Sequence, residues 1–480
     1  MPVKPLILGL TILILLVLGL PPINLHFASW IAWILLFQFF YKTRKNIGRL
    51  LVSTALLGLC YFATGLAWVA TYSREDYLLL VLLSAPFFTI YFSILMVLIR
   101  ETDPIPVKIA ATSALWFLFS RGLDLSPMWS APLGVFFYAP LKLLPAISFT
   151  GFQLFSALIL ATTCALALAG IKKSRIALLL AILIALFLSG LAFFGQKTSN
   201  SKLPSPGKIK LALIQHHLPD SENWLRANNN EIRNIYRRLA ETAARRKIDL
   251  IVFPRYDTFE NLEEVLPFYL DLARSLATPI LLARHIEISR EETTTPDYQN
   301  TALLLGTDGK VRDFYQTVRA PFFITREQTA PEMKVLSVGG GKAGILLCTE
   351  NIWPDLARRS VQKGAEFLIA LSYPGLFNTP TLSYYQTMQD RFRAIESGRP
   401  VALVSSHGLT ALIDPQGRVI AEVPQNQEAI LYADIELRNS QTFFYRWGFL
   451  WDILATVFLL GLLGSRFLKR HDTPFQPSVP

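Results

Sequence analysis

Long unbroken apolar runs fill the first 195 residues, at about 5–20, 24–41, 50–72, 77–99, 107–120, 148–170 and 174–195, and an eighth follows at 447–465. A helix needs about 20 apolar residues to cross a bilayer, so the pattern predicts a polytopic helical membrane domain. The first run is expected to stay as a helix, because "LGLPPINLHF" supplies no small-residue cleavage site and a second apolar run follows at once. The fifth, "IAATSALWFLFS", is short and leads into a Pro-rich aromatic segment over 121–147. That segment is expected to lie on the membrane surface or partly re-enter it, since uncapped backbone cannot face lipid tails.

Beyond residue 208 the period changes. Short β-branched runs such as "KIKLALIQ", "IDLIVFP", "KAGILLC", "EFLIALS" and "PVALVSS" alternate with helical patterns at 221–247, 260–275, 353–363 and 380–397. This rhythm predicts a layered α/β domain. The strands are too many for one plain parallel sheet, so two sheets stacked face to face with helices outside are expected. The implied organisation is a membrane domain over 1–195, a Ser-, Pro- and Lys-rich linker at 196–208, the α/β domain over 209–440, and the last span with its tail over 441–480.

Composition agrees with the pattern: of 480 residues, 52% are hydrophobic and only 17% charged. Charge adds orientation. Alternate loops hold thirteen basic residues (Lys4; Lys42, Arg44, Lys45, Arg49; Arg100, Lys108; Lys172, Lys173, Arg175; Arg466, Lys469, Arg470), against Arg74, Arg121 and Lys142 in the short loops of the other side. The positive-inside rule then sets both termini in the cytoplasm and the α/β domain outside it. The net charge of +11 is therefore a topology signal spread over many loops, and nucleic-acid binding is not expected. Three cysteines make no disulfide framework; Cys60 and Cys164 fall in predicted spans and read as small buried hydrophobes, leaving Cys348 in the α/β domain.

Several motifs resemble the apolipoprotein N-acyltransferases, within the carbon-nitrogen hydrolase or nitrilase superfamily. Near the start these are "LGLPPINL" and "GLAWVATY"; later come "LALIQHHLP", "DLIVFP", "YQNTALLL", "CTENIWPD", "SYPGLFNTPTLSYYQTMQDRFRAIESGRPVALVSSHGLTALIDPQGRV" and "TFFYRWG". The resemblance implies an α-β-β-α nitrilase-like sandwich inserted before the last of about eight spans, at the outer face of a bacterial cytoplasmic membrane. It implies a two-step acyl transfer without cofactor or metal by a monomer. A cysteine takes an acyl chain from a phospholipid, with phosphatidylethanolamine the expected donor, and passes it to the N-terminal amine of a diacylglyceryl-lipoprotein.

A thiol is only slightly ionised at neutral pH, so it needs a base or a positive field, and the tetrahedral intermediate needs a donor. The resemblance assigns these tasks to Glu, Lys and Cys. Cys348 stands at the Cys position, at an expected strand-to-helix elbow where a helix dipole would favour thiolate, and Glu350 follows as a supporting hydrogen-bond partner. The other two positions depart from the pattern: Arg255 stands where a Glu is expected, and around Thr317 no lysine is found. Asp257, Glu260 and Arg319 are possible surrogates, each with a plainer reading as a helix start, an exposed helix residue and a solvated loop charge. Adjacent His216 and His217 on a strand would face opposite ways, and His285 and His407 stand alone in the sequence, so no metal site is expected. Arg391, Arg393 and Arg399 with Glu396 read first as structural ion pairs and second as phosphate contacts. Three readings stay open: an N-acyltransferase with a rearranged acid-base apparatus, a degenerate relative that keeps the fold to bind lipid or lipoprotein, and an acyltransferase or amidase with another acceptor.

Overall fold

The computed structural model describes residues 3–21, 23–71, 73–125, 142–200, 206–218, 228–255, 262–288, 297–320, 327–373 and 380–471. The apolar runs become helices α1 (Val3–Leu18), α2 (His26–Thr43), α3 (Ile47–Gly65), α4 (Arg74–Ser84), α5 (Phe87–Leu98), α6 (Ile105–Leu125), α7 (Ile147–Lys172) and α8 (Arg175–Asn200). Local chemistry sets their ends: Asn46 caps α3 through the Arg49 amide, Ser73 caps α4 through the Asp76 amide, and Pro86 separates α4 from α5. The bundle closes on aromatic rings around buried Trp33, which meets Phe37, Phe88, Tyr91, Phe92 and Trp116.

Among the described residues, five segments are long and apolar enough to cross a membrane: Ile47–Gly65, Arg74–Leu98, Leu144–Lys172, Arg175–Thr198 and Phe449–Arg466; Ile7–Leu18 is a shorter apolar helix. Helix α6 runs well beyond the short span expected at 107–120. Its extra turn carries Arg121, which pairs with Asp452 of the last helix at 3.0 Å, so the charge that interrupts the apolar run is neutralised inside the bundle. Helix α8 continues through the start of the expected linker, to Asn200. Cys60, expected to be buried, lies on the outer surface of α3; Cys164 is buried beside Tyr41 and Thr112.

The α/β part carries helices α9 (Asn229–Ala244), α10 (Leu262–Ser275), α11 (Pro354–Gln362) and α12 (Pro380–Ser397), and the chain returns through α13 (Phe443–Trp447) to α14 (Phe449–His471). Among the described residues its strands are β1 (Lys208–Gln215), β2 (Leu250–Arg255), β3 (Ile280–Ile288), β4 (Asp297–Leu305), β5 (Val311–Gln316), β6 (Val335–Val338), β7 (Gly341–Leu347), β8 (Phe367–Ser372), β9 (Val401–Ser405), β10 (Thr410–Ile413), β11 (Val419–Val423) and β12 (Ala429–Glu436). They form two six-stranded sheets, ordered β12-β1-β2-β3-β4-β5 and β11-β10-β9-β8-β7-β6, as expected. In each sheet the three central strands run parallel, β1 with β2 and β3, and β7 with β8 and β9. Their apolar residues meet between the sheets, while α9 and α10 cover the outer face of the first. The carboxyl ends of β2 and β7 carry Arg255 and Cys348.

Candidate active site

Cys348 follows the last residue of β7 and opens the 3-10 turn Cys348–Ile352 with a φ of +58°. A left-handed backbone under a side chain costs about 1 to 2 kcal/mol and persists only where the surroundings enforce it. Here Glu350 does so. Its fully buried carboxyl group accepts from the Leu347 amide at 2.9 Å and the Val318 amide at 2.8 Å, and lies 2.9 and 2.8 Å from the Tyr315 hydroxyl. Burial pushes the carboxyl up to about 8, with the two amides and the tyrosine pulling the other way. These bonds bend residues 348–352 into a single turn, so α11 begins only at Pro354. Helix α11, whose dipole was expected to favour the thiolate, thus begins six residues after Cys348.

Strand register extends the site across the first sheet. Arg255 pairs with Ala283, Ala283 with Ala302, and Ala302 with Tyr315. Residues in register share a sheet face, and Ala283, Ala302 and Tyr315 belong to the core between the sheets. An irregularity between Val252 and Arg255 brings the arginine into that row, where it is only 7% exposed. Three strand spacings, about 14 Å of backbone, separate it from Tyr315. Thr317 lies just past β5 and is buried. Its amide donates to the Asn300 carbonyl at 3.0 Å, and the next residue, Val318, is the one held by Glu350.

Arg319 is committed elsewhere. Its guanidinium makes a two-pronged pair with Asp355, at 2.9 and 3.1 Å, and lies 5.4 Å from the Trp353 ring centroid. The fork takes two of the five N–H groups and fixes the direction of the guanidinium, and the plainer reading as a solvated charge fails, since the side chain is only 25% exposed. Asp257 and Glu260 lie outside the described residues.

Behind the turn stands a polar group that the sequence did not single out. The Asn351 amide donates to the Asp390 carboxylate at 3.0 Å and to the Gln386 carbonyl at 3.2 Å, and Ser372 bonds the Gln386 side chain. Burial raises the Asp390 carboxyl to about 7, against the pull of Asn351 and Arg393. Polar residues on an inward stripe of "YYQTMQDRFR" were the available signal, but only the fold supplies Asn351. Arg393 and Glu396 form a buried ion pair at 3.0 Å, and Arg391 and Arg399 donate to the Gly417 and Ala365 carbonyls. The ion-pair reading is met by Arg393 with Glu396, while Arg391 and Arg399 bond backbone carbonyls instead.

The histidines are less isolated than the sequence implied. His217 leaves the strand with a φ of +46°, so the rings of His216 and His217 both approach His407, at 6.1 and 5.3 Å between centroids. Burial first, and the neighbouring rings second, keep His216 well below its usual range. His285 packs on Tyr298. Among the described residues no three His, Cys, Asp or Glu groups are disposed to hold a metal ion.

The paired-sheet α/β sandwich is nitrilase-like. Residues 210–443 match the carbon-nitrogen hydrolase family, and residues 14–165 match the apolipoprotein N-acyltransferase N-terminal domain. The chain is thus similar to the apolipoprotein N-acyltransferases of that superfamily. Similar proteins include the apolipoprotein N-acyltransferase of Geobacter metallireducens, 26% identical over 294 residues that cover 55% of this chain and 55% of the relative. That of Synechocystis is also 26% identical, over 56% of this chain and 55% of its own. The chain thus spans about half the length of the curated relatives it matches. Among solved structures, a branch 10 nitrilase-superfamily member from Saccharomyces cerevisiae aligns over 48% of this chain and 91% of its own, with a TM-score of 0.40 and 23% identity.

Proposed function

We propose that this chain is a membrane-embedded N-acyltransferase acting through Cys348. The thiolate attacks an ester carbonyl of a phospholipid, with phosphatidylethanolamine the expected donor; the acyl–oxygen bond breaks, and the thiol proton ends on the departing lysophospholipid hydroxyl. In the second step the N-terminal amine of a diacylglyceryl-lipoprotein attacks the thioester, and the thiol is regenerated. Eight spans, with both termini cytoplasmic and the α/β domain on the periplasmic side, would let both lipid substrates enter from the membrane. The domain limits near 195, 208 and 440 belong to the same reading.

The observation that carries the proposal is the forced left-handed backbone at Cys348, held by Glu350 at the carboxyl end of β7. Glu350 acts as a positioning residue. Arg255 supplies the positive field that favours thiolate, and Asp257, two residues on, is the proposed proton carrier, since a guanidinium cannot accept a proton. The substitutions at 255 and 317, with Arg319 committed to Asp355, favour a second reading, a relative that binds lipid or lipoprotein without transfer.

The test is to incubate the full chain in proteoliposomes with alkyne-tagged phosphatidylethanolamine and look for a covalent adduct. Transfer predicts a hydroxylamine-labile adduct that vanishes in Cys348→Ser. No adduct on the unaltered protein, with labelling gained in Arg255→Glu combined with Thr317→Lys, would overturn transfer in favour of the degenerate reading.

A further inference from the structure

Two cavities stand one above the other along a single face of α8. The lower is an apolar groove of about 370 Å³, floored by α6 and α7 and flanked by α8 and α14 through Leu180, Ile184, Leu454 and Phe458. The upper, about 330 Å³, lies where α7 and α8 meet the α/β domain, and its wall includes Ser148, Thr198, Gln441, Thr442 and Arg438. Leu180 and Ile184 below, and Gly195 and Thr198 above, recur at spacings that keep them on one side of the helix.

An aromatic cluster joins the two. Phe149 and Phe443 line the upper cavity and Trp451 lines the lower. The Phe443 ring lies 5.9 Å from Phe149 and 6.1 Å from Trp451, whose indole donates to the Phe149 carbonyl at 3.1 Å. Phe193, Phe194, Trp447 and Phe449 are exposed at the same level, the composition of a membrane-water boundary. A chamber at that boundary with hydroxyl, amide and one arginine residue in a largely apolar wall, above an apolar groove, matches a molecule with one charged end and long hydrocarbon.

We propose that the two cavities form one binding site for a phospholipid of the leaflet facing the α/β domain, its phosphate at Arg438 and one chain in the groove. The proposal rests on the membrane reading, but not on catalysis. The site is separate from Cys348: α12 meets Asn351 at Gln386 and Asp390, whereas the upper cavity touches Ile395 and Gly398, about two turns further on. A lipid held there would bridge the bundle and the domain it carries.

The experiment uses the full chain in nanodiscs with diazirine-tailed phosphatidylethanolamine, diazirine-tailed phosphatidylglycerol or diazirine-tailed diacylglycerol, with crosslinks mapped by mass spectrometry. Expected are crosslinks to peptides containing Leu154–Leu158 and Leu454–Phe458, at least fivefold stronger for the two phospholipids than for diacylglycerol. Arg438→Ala should bring the phospholipids down to the diacylglycerol level. Ala114→Phe and Ala455→Phe, each checked for an unchanged elution volume, should remove the groove crosslinks, while Cys348→Ser should keep them. Equal labelling by all three probes, or groove labelling untouched by either filled variant, would overturn the proposal. Loss of the groove label in Cys348→Ser would do so too, by making it part of the catalytic site.

Discussion

The backbone at Cys348 and the carboxyl of Glu350 are two sides of one arrangement. A φ of +58° is tolerable for glycine and strained for any residue with a Cβ. Cys348→Gly should therefore unfold about 1 kcal/mol later than Cys348→Ala in denaturant titration, although both lack the thiol. Equal midpoints would mean the turn stores no strain. Glu350 makes a pH prediction. Its folded pKa, about 8, lies above the ordinary carboxyl range, so between about pH 4.5 and 8 the folded state holds a proton that the unfolded state has lost. The contribution of this group to stability is fully present below that window and is lost as pH rises through it. Measured against Glu350→Gln, the melting temperature of the unaltered protein should fall as pH is raised from 5 to 8. Buried His216 and half-buried His407, both held below the usual histidine range, act with the opposite sign, but they are common to both proteins and cancel.

Helix α7 shows how an element is shaped by what it must receive. Gly151 interrupts it with a φ of +67°, and a Cβ there would meet the Phe444 ring at 2.2 Å. The break lets α13 lie across α7 before α14 descends. Gly151→Ala should cost about 1 to 3 kcal/mol, because strain adds to the displacement of Phe444. A variant as stable as the parent would show that this crossing can relax. At its other contact, α14 is clasped by two charge pairs, Arg121 of α6 with Asp452 and Arg466 with Asp103 in the turn before α6. Asp452→Asn should lower stability by about 1 kcal/mol, given that both partners stay partly exposed, and the exchange Arg121→Asp with Asp452→Arg should recover part of it. Thermal unfolding in one detergent checks both.

At the scale of the whole molecule, the α/β domain is fixed to its bundle by a buried link. Glu396 accepts the Phe152 amide at 2.9 Å while paired to Arg393, and Phe152 stacks on Phe392 with ring centroids 4.3 Å apart. Removing one partner of so buried a pair leaves the other uncompensated. Arg393→Ala should cost about 3 to 5 kcal/mol, and limited proteolysis should then cut between the two parts at lower protease concentration. Intact digestion behaviour would place the coupling elsewhere.

Much of this was legible in the sequence because it is local. Apolar runs of bilayer length, the change of period after 208 and the two-sheet sandwich follow from side-chain periodicity, and Cys348 was conspicuous as the thiol outside the predicted spans. Some features depend on distant partners and could not be read locally. The length of α6 rests on Asp452, some 330 residues further on, because a charge inside an apolar helix is tolerated only where an opposite charge meets it. The turn at Cys348 replaces a helix start because Glu350 finds Tyr315 on the other sheet and Val318 just past its strand. Arg319 turns to Asp355, and His407 joins His216 and His217, through contacts that no spacing encodes. Periodicity determines which residues leave water; only tertiary structure decides which polar groups they bury together, since hydrogen bonds and ion pairs act over a few ångströms between residues far apart in the chain.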